Sequence, residues 1–305
     1  MAGTVILTGA NGSADSNTQN LRQVIARYPD AKTSIYQVDL ANLSAVHEFA
    51  SKISKAVETG EYPALKSIIC CAAYWNLVGD SELTTDGYDK TLQINHIAHV
   101  ALVLRLIGSF ASDGSIVLFS SIAHYRKPNA MTSYLPDIPD DIDQFNHPPA
   151  SGDKKDRGFQ RYANSKLVIT TWMYPLNRYL QQNQKFKNIT AVAINPGGLG
   201  DSRAFTSNTP RSIQLAQKFV LKPFMSIIQY LADPTFRSSA EAAKDVIKLA
   251  VDEAYQGEHG YFTLLQKDDS DPITMDESVQ QRVWRKSLEW ARITKDNTAL
   301  KNVMK

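Results

Sequence analysis

Thr4-Val5-Ile6-Leu7-Thr8-Gly9-Ala10-Asn11-Gly12-Ser13 starts as a short apolar run and breaks into a glycine-bearing turn. Beyond the turn, Leu21, Val24, Ile25 and Tyr28 recur at helical spacing until Pro29-Asp30 stops the pattern. A buried strand, a glycine turn and a helix in that order form the first βα step of a dinucleotide-binding unit. The alternation continues down the chain. Strand patterns at 33–40, 65–73, 115–121, 189–195 and 261–265 are separated by helical patterns at 44–58, 88–110, 162–180 and 239–251, with a last amphipathic helix at 275–293. Most of these strands are apolar throughout, as expected of a parallel sheet covered by helices on both faces. The fold predicted is α/β, a Rossmann-like doubly wound parallel sheet in one domain over 1–305.

Composition agrees with a globular chain. The 305 residues are 43% apolar and 21% charged, with a net charge of +2. That balance offers nothing to nucleic acid or to an anionic membrane. No basic segment followed by a long apolar core opens the sequence, and no apolar run reaches spanning length, since Arg105 interrupts 100–110. Cys70 and Cys71 are adjacent, a poor geometry for a mutual disulfide, and a reducing, cytoplasmic compartment is expected.

Parallel sheets of this kind bind ligands at the carboxyl ends of their strands. The Gly9 turn, Ser121 and the Asn195-Pro196-Gly197 turn all fall there. So does the start of the helix bearing Tyr162 and Lys166, four residues apart and therefore on one face. An ammonium beside a phenol favours the phenolate, so Lys166 is expected to lower the Tyr162 pKa. A phenol tuned in this way can give a proton to a carbonyl or take one from an alcohol.

These pieces together resemble the short-chain dehydrogenase/reductase family. The likeness runs through Thr8-Gly9-Ala10-Asn11, Asp39-Leu40, Asn95, Ser120-Ser121, Tyr162 with Lys166, and Asn195-Pro196-Gly197. Through Tyr74-Trp75-Asn76-Leu77 and Phe159-Gln160-Arg161-Tyr162 the chain is most similar to reductases of fungal secondary-metabolite pathways. The resemblance implies an NADP(H)-dependent oxidoreductase that acts on a ketone or alcohol. It makes Tyr162 the proton donor or acceptor, and Lys166 its tuner and the holder of the nicotinamide ribose. Ser121 would be the hydrogen-bond partner of the substrate oxygen, with Ser120 as runner-up, and Asn95 would hold a relay water. For the cofactor it implies Gly9, Asn11, Gly12, Asp39, Lys166, Pro196, Gly197 and Ser202. It also implies a homo-oligomer formed through the helices at 88–110 and 162–180.

The nucleotide half departs from the family pattern. Ser13 and Asp15 stand where later glycines of the turn belong. A carboxylate ~4 Å from a phosphate charge costs on the order of 4 kcal/mol at an effective dielectric of about 20. Only one βα unit fits between Thr8 and Asp39, so the sheet is one βα unit short if 33–38 is the family's third strand. If 33–38 is instead the second strand, Asp39 is placed to bind a ribose hydroxyl. Cys71-Ala72-Ala73 replaces Asn-Ala-Gly. A chain that keeps the phenol and loses the nucleotide site could be a cofactor-independent isomerase, lyase or cyclase, or a non-catalytic binding protein.

The proline-rich stretch 125–158 is expected to form a lid and 199–237 a substrate cover. Their apolar members Tyr134, Leu135, Phe205, Phe219, Phe224 and Met225 point to a hydrophobic small-molecule substrate. Tyr74, Trp75 and Trp172 are expected to pack rather than bind. His96 and His99 have a possible metal spacing, but no acidic or cysteine motif accompanies them, and no metal is expected.

Overall fold

The computed structural model describes residues 4–9, 16–128, 131–148 and 152–301. Asn11 and Gly12, with Ser13 and Asp15, lie outside the described residues. In chain order the elements begin with β1 (Thr4–Gly9), α1 (Ser16–Ile25), β2 (Lys32–Gln37), α2 (Leu43–Glu58) and β3 (Leu65–Cys70). Next come a one-turn helix α3 (Lys90–Leu92), a π-turn (Gln93–Ile97), α4 (Ala98–Leu106), β4 (Phe110–Phe119), α5 (Lys154–Gln181) and β5 (Thr190–Asn195). The chain continues through α6 (Arg211–Ala216), a second π-turn (Gln217–Leu221), α7 (Met225–Leu231), α8 (Ser239–Val251), β6 (Gly260–Thr263), β7 (Gln266–Lys267) and α9 (Glu277–Trp290).

The strands form two groups. β3-β4-β5-β6-β7 is one sheet, parallel from β3 to β6 and closed by antiparallel β7. β1 and β2 pair in parallel with each other, from Thr4 opposite Lys32 to Gly9 opposite Gln37, as a separate two-stranded sheet. One βα unit, α1 with β2, stands between β1 and α2, so the shortened opening holds in the structure.

Successive side chains of a strand point to opposite faces, and the five-stranded sheet uses both. Ile116, Leu118, Ala191, Ala193 and Tyr261 join the core under α4, α5 and α9. Val117, Val192, Ile194 and Phe262 meet Val246, Leu249 and Ala250 of α8 on the other face. Every residue of β5 is buried, which is why its sequence shows no alternation. α9 lies along α5, with Trp284 stacked on Trp172 at 5.6 Å and on Tyr179 at 4.8 Å. α9 thus covers a face of the very helix on which the oligomer expectation rests.

Several boundaries differ from the sequence reading. β4 starts at Phe110 and runs through Gly114, where the sequence reading ends a helix and begins a strand only at 115. α5 starts at Lys154, capped by the Asp153 carboxylate on the Asp156 N–H, so the lid ends earlier than expected. Part of the lid reaches the phenol, where Met131 packs in one cluster with Trp75 and Tyr162, and other parts are tied down away from it. Arg126 pairs with Asp271, Trp290 Nε1 donates to Asp143, and Lys286 pairs with Asp143, which ties the stretch across α5 and α9. Between it and α5 is a cavity of about 200 Å³ lined by Asp137, Phe145, Arg157 and Asn164; Tyr162 is not among its walls.

Candidate active site

The carboxyl ends of β3, β4 and β5 gather around the first half of α5. Ser121 stands two residues past the end of β4, and its hydroxyl accepts from the Ala123 N–H at 3.2 Å and bonds the Tyr162 phenol. Ser120, one residue earlier, points into the core, where its hydroxyl meets that of Thr170 at 2.6 Å. The alternation of extended backbone therefore separates the two serines and leaves Ser121 at the phenol.

Lys166 is 2% exposed and donates to the Phe119 carbonyl at 2.7 Å, with its Nζ 5.6 Å from the centre of the Tyr162 ring. Burial pulls its pKa down to about 8. The expected tuning of the phenol is reversed in this structure. Burial pushes the Tyr162 pKa up, and the Ser121 hydrogen bond offsets only part of that. The Lys166 ammonium meanwhile donates to a backbone carbonyl.

Asn95 sits in the first π-turn, a local departure that often accompanies function. Its side chain accepts from the Tyr74 N–H at 2.7 Å and donates to the Tyr74 carbonyl and the Ser165 hydroxyl, both at 2.9 Å. Ser165 in turn donates to the Tyr162 carbonyl at 2.6 Å. Asn95 thereby clamps the segment after β3 to the Tyr162 turn of α5. The Asn95 carbonyl lies 3.2 Å from His99 Nδ1, and His96 Nε2 lies 2.7 Å from the Ser287 hydroxyl.

Sequence reasoning missed Trp75. Expected only to pack, it stands edge-on to Tyr162 at 5.4 Å and to Phe205 at 5.4 Å, and tilted toward Phe159 at 6.4 Å. Its indole N–H donates to the Ala204 carbonyl at 2.9 Å and to the Thr209 hydroxyl at 3.1 Å. Its position right after Cys71-Ala72-Ala73, at the end of β3, is the signal that could have found it. Two contacts hold its loop. Arg161 Nη2 donates to the Asn76 and Gly79 carbonyls, both at 3.2 Å. Gly158 lets α5 come so close that an added Cβ would sit 2.0 Å from the Asn76 oxygen.

The remaining cofactor candidates are dispersed. Asp39 is exposed and spends a carboxylate oxygen on the Ala41 N–H at 2.9 Å. Gly9 ends β1. Gly197 has φ +88°, and a Cβ there would strike the Thr235 carbonyl, while the Pro196 carbonyl accepts from Arg237. Ser202 caps a short turn by accepting from the Ala204 N–H. Of the expected apolar cover, Phe205 reaches the aromatic cluster, whereas Phe219 and Phe224 face outward.

Lys166 carries three donor hydrogens, and Phe119 supplies its one hydrogen-bond acceptor among the described residues. A buried ammonium with donors to spare fits a ribose diol. Beside it Cys71, Ala72 and Ala73 are exposed at the end of edge strand β3. The nicotinamide end of a dinucleotide therefore fits.

Comparison with known proteins points to dehydrogenases. Residues 203–300 match the profile of a family described as the AcuH dehydrogenase domain. A short-chain dehydrogenase of Talaromyces variabilis, iccH, is 27% identical over 98% of both chains. That alignment spans 365 positions against the 305 residues of this chain, so the relative holds stretches absent here. The dehydrogenase acuH of Aspergillus aculeatus is 43% identical over 31% of this chain and 96% of its own length. Among solved structures, a short-chain dehydrogenase of Burkholderia cenocepacia in complex with NADP superposes with a TM-score of 0.57 at 19% identity, over 85% of this chain and 86% of its own. An uncharacterized protein of Mycobacterium paratuberculosis reaches 0.60 at 19% identity, over 95% and 93% of the two chains. These relatives favour redox chemistry over the cofactor-independent and non-catalytic alternatives, and the chain is similar along nearly its whole length to short-chain dehydrogenases, fungal ones among them.

Proposed function

We propose that the protein is an NADP(H)-dependent reductase of a hydrophobic ketone, working in a natural-product pathway. The observation that carries this reading is the Ser121–Tyr162 hydroxyl pair beside the buried Lys166, next to an aromatic wall of Trp75, Phe159 and Phe205. NADPH would supply hydride to the carbonyl carbon. Lys166 would hold its ribose, with the Pro196-Gly197 turn and Ser202 on the nicotinamide side. Ser121 would give a hydrogen bond to the carbonyl oxygen, and Tyr162 would deliver its proton there as the alkoxide develops. Asn95 would serve this step by holding Tyr74 and α5 in register, and the relay role is the one that the resemblance gives it.

The aromatic wall supports an apolar substrate, since such a pocket gains most by removing apolar surface from water. A reducing, cytoplasmic setting is proposed on the two free cysteines, Cys70 and Cys71.

Calorimetric titration with NADPH is the test, paired with turnover on a panel of apolar ketones. The expected result is micromolar binding that survives in Tyr162→Phe, while turnover falls about 10³-fold. A folded protein that shows no binding at millimolar NADPH would overturn the reading.

A further inference from the structure

Among the described residues, seventeen large apolar side chains are exposed, and seven of them fall between residues 215 and 231. Phe219 is 59% exposed, Leu231 74% and Tyr230 88%. They lie on α6, the second π-turn and α7, with Phe224 capping α7, and these three elements bury no residue except Gln217. Leu215 and Phe219 are spaced i, i+4, and Phe224, Ile227 and Leu231 are spaced i, i+3, i+7, so each piece carries an outward apolar ridge. An exposed patch of this density marks an interaction surface rather than ordinary surface scatter.

The charges on the segment point to its partner. From Arg211 to Ala232 there are three basic residues, Arg211, Lys218 and Lys222, and no acid. All three are exposed, and the Lys218 ammonium lies 5.2 Å from the centre of the Phe219 ring. Apolar ridges flanked by lysines match a bilayer surface, where rings enter the acyl boundary and ammonium groups stay among anionic headgroups. The whole-chain charge of +2 averages over this local bias, which is why composition excludes a membrane when read alone. The apolar helical stretch Lys90–Ser109 is a different case: it is long enough to span, but 78% of its apolar window is buried in the core.

We propose that residues 211–231 dock the protein on an anionic lipid surface, with the catalytic cleft opening beside the contact. Ile213, on the inward side of α6, packs with Trp75 and Tyr162 in the cluster at the site. The helix that bears Leu215 outward thus forms part of the pocket wall, and an apolar ketone dissolved in the bilayer would enter without crossing bulk water. Surface attachment does not depend on turnover, so it stands or falls apart from the redox assignment.

The test is co-sedimentation of the full chain with vesicles of phosphatidylcholine alone and of phosphatidylcholine mixed with phosphatidylserine. The expected result is pelleting with the anionic vesicles that weakens as salt rises. Lys218→Glu with Lys222→Glu should lower anionic partitioning at least about tenfold. Phe219→Ser with Tyr230→Ser should abolish pelleting with the anionic vesicles, with an unchanged unfolding midpoint because these side chains are already exposed. Absence of pelleting by the parent chain would overturn the proposal, as would equal pelleting by all variants. Sedimentation showing that the patch closes a dimer of this chain, dissolved by the Phe219 and Tyr230 changes, would also overturn it.

Discussion

β1–β2 and the five-stranded sheet are built from similar sequence and held very differently. β4 and β5 are each paired on both sides and covered on both faces, with Ile116, Val117, Leu118, Ala193 and Ile194 all fully buried. The two-stranded sheet is hydrogen-bonded within itself, and β2 meets the rest of the protein mainly through side chains. The Tyr36 and Tyr62 hydroxyls lie 2.6 Å apart, Tyr62 donates to Ser34 at 2.9 Å, and Tyr36 packs on Phe49 at 5.5 Å. Val38 and Leu40, just past β2, do enter the main core. Tyr162, Lys166, Ser121 and Asn95 all stand on or next to the larger unit. Chemistry that needs fixed geometry is placed where packing over-determines the backbone.

The sharpest way to test that contrast is to cut into the larger unit. Trp172→Ala removes a fully buried ring stacked on Trp284 and should cost about 3–5 kcal/mol in urea unfolding. A loss below about 1 kcal/mol would mean that α5 and α9 are not one packed body. Next in size is an acid effect from the same core. Burial holds His96 and His99 to pKa values of about 3 and His124 to about 4, below the ordinary 6.5. The unfolded chain binds protons that the folded chain refuses. Stability from these groups is therefore complete above pH 6.5 and falls as pH drops toward 4. At pH 5 each histidine costs about 2 kcal/mol relative to neutral pH. Comparing urea midpoints at pH 7 and pH 5 for the parent and for His96→Gln checks this: the variant should lose about 2 kcal/mol less on acidification. The smallest effect belongs to the other region. Val24→Ala in α1 alters an exposed residue and should stay within about 0.5 kcal/mol. A large cost there would show the opening unit to be as tightly integrated as the sheet, and would break the comparison.

What could be read in advance follows the same division. The Tyr162–Lys166 face, the strand-end serines and the parallel order were legible because period and spacing are local properties. Which serine faces the phenol follows from strand alternation once β4 is placed. The direction of the Tyr162 shift was not legible, because it is set by how deeply the phenol is buried, and side chains from distant parts of the chain decide that. Trp75 was equally hidden: its neighbours Phe159, Tyr162 and Phe205 come from distant parts of the chain. The outward face of α6 and α7 could not be told from a pocket cover, since apolar periodicity says that a face is apolar and not what it meets.

The chain's four tryptophans fall into two optical classes. Trp172, Trp284 and Trp290 are at most 2% exposed and belong to one aromatic core. Their emission should be blue-shifted and indifferent to small solutes. Trp75 is part-exposed and lies against the phenol that would meet the substrate. Intrinsic fluorescence therefore separates into a constant background from the interior and one indole at the cleft, and a quencher or ligand that changes the emission of the native protein reports from Trp75.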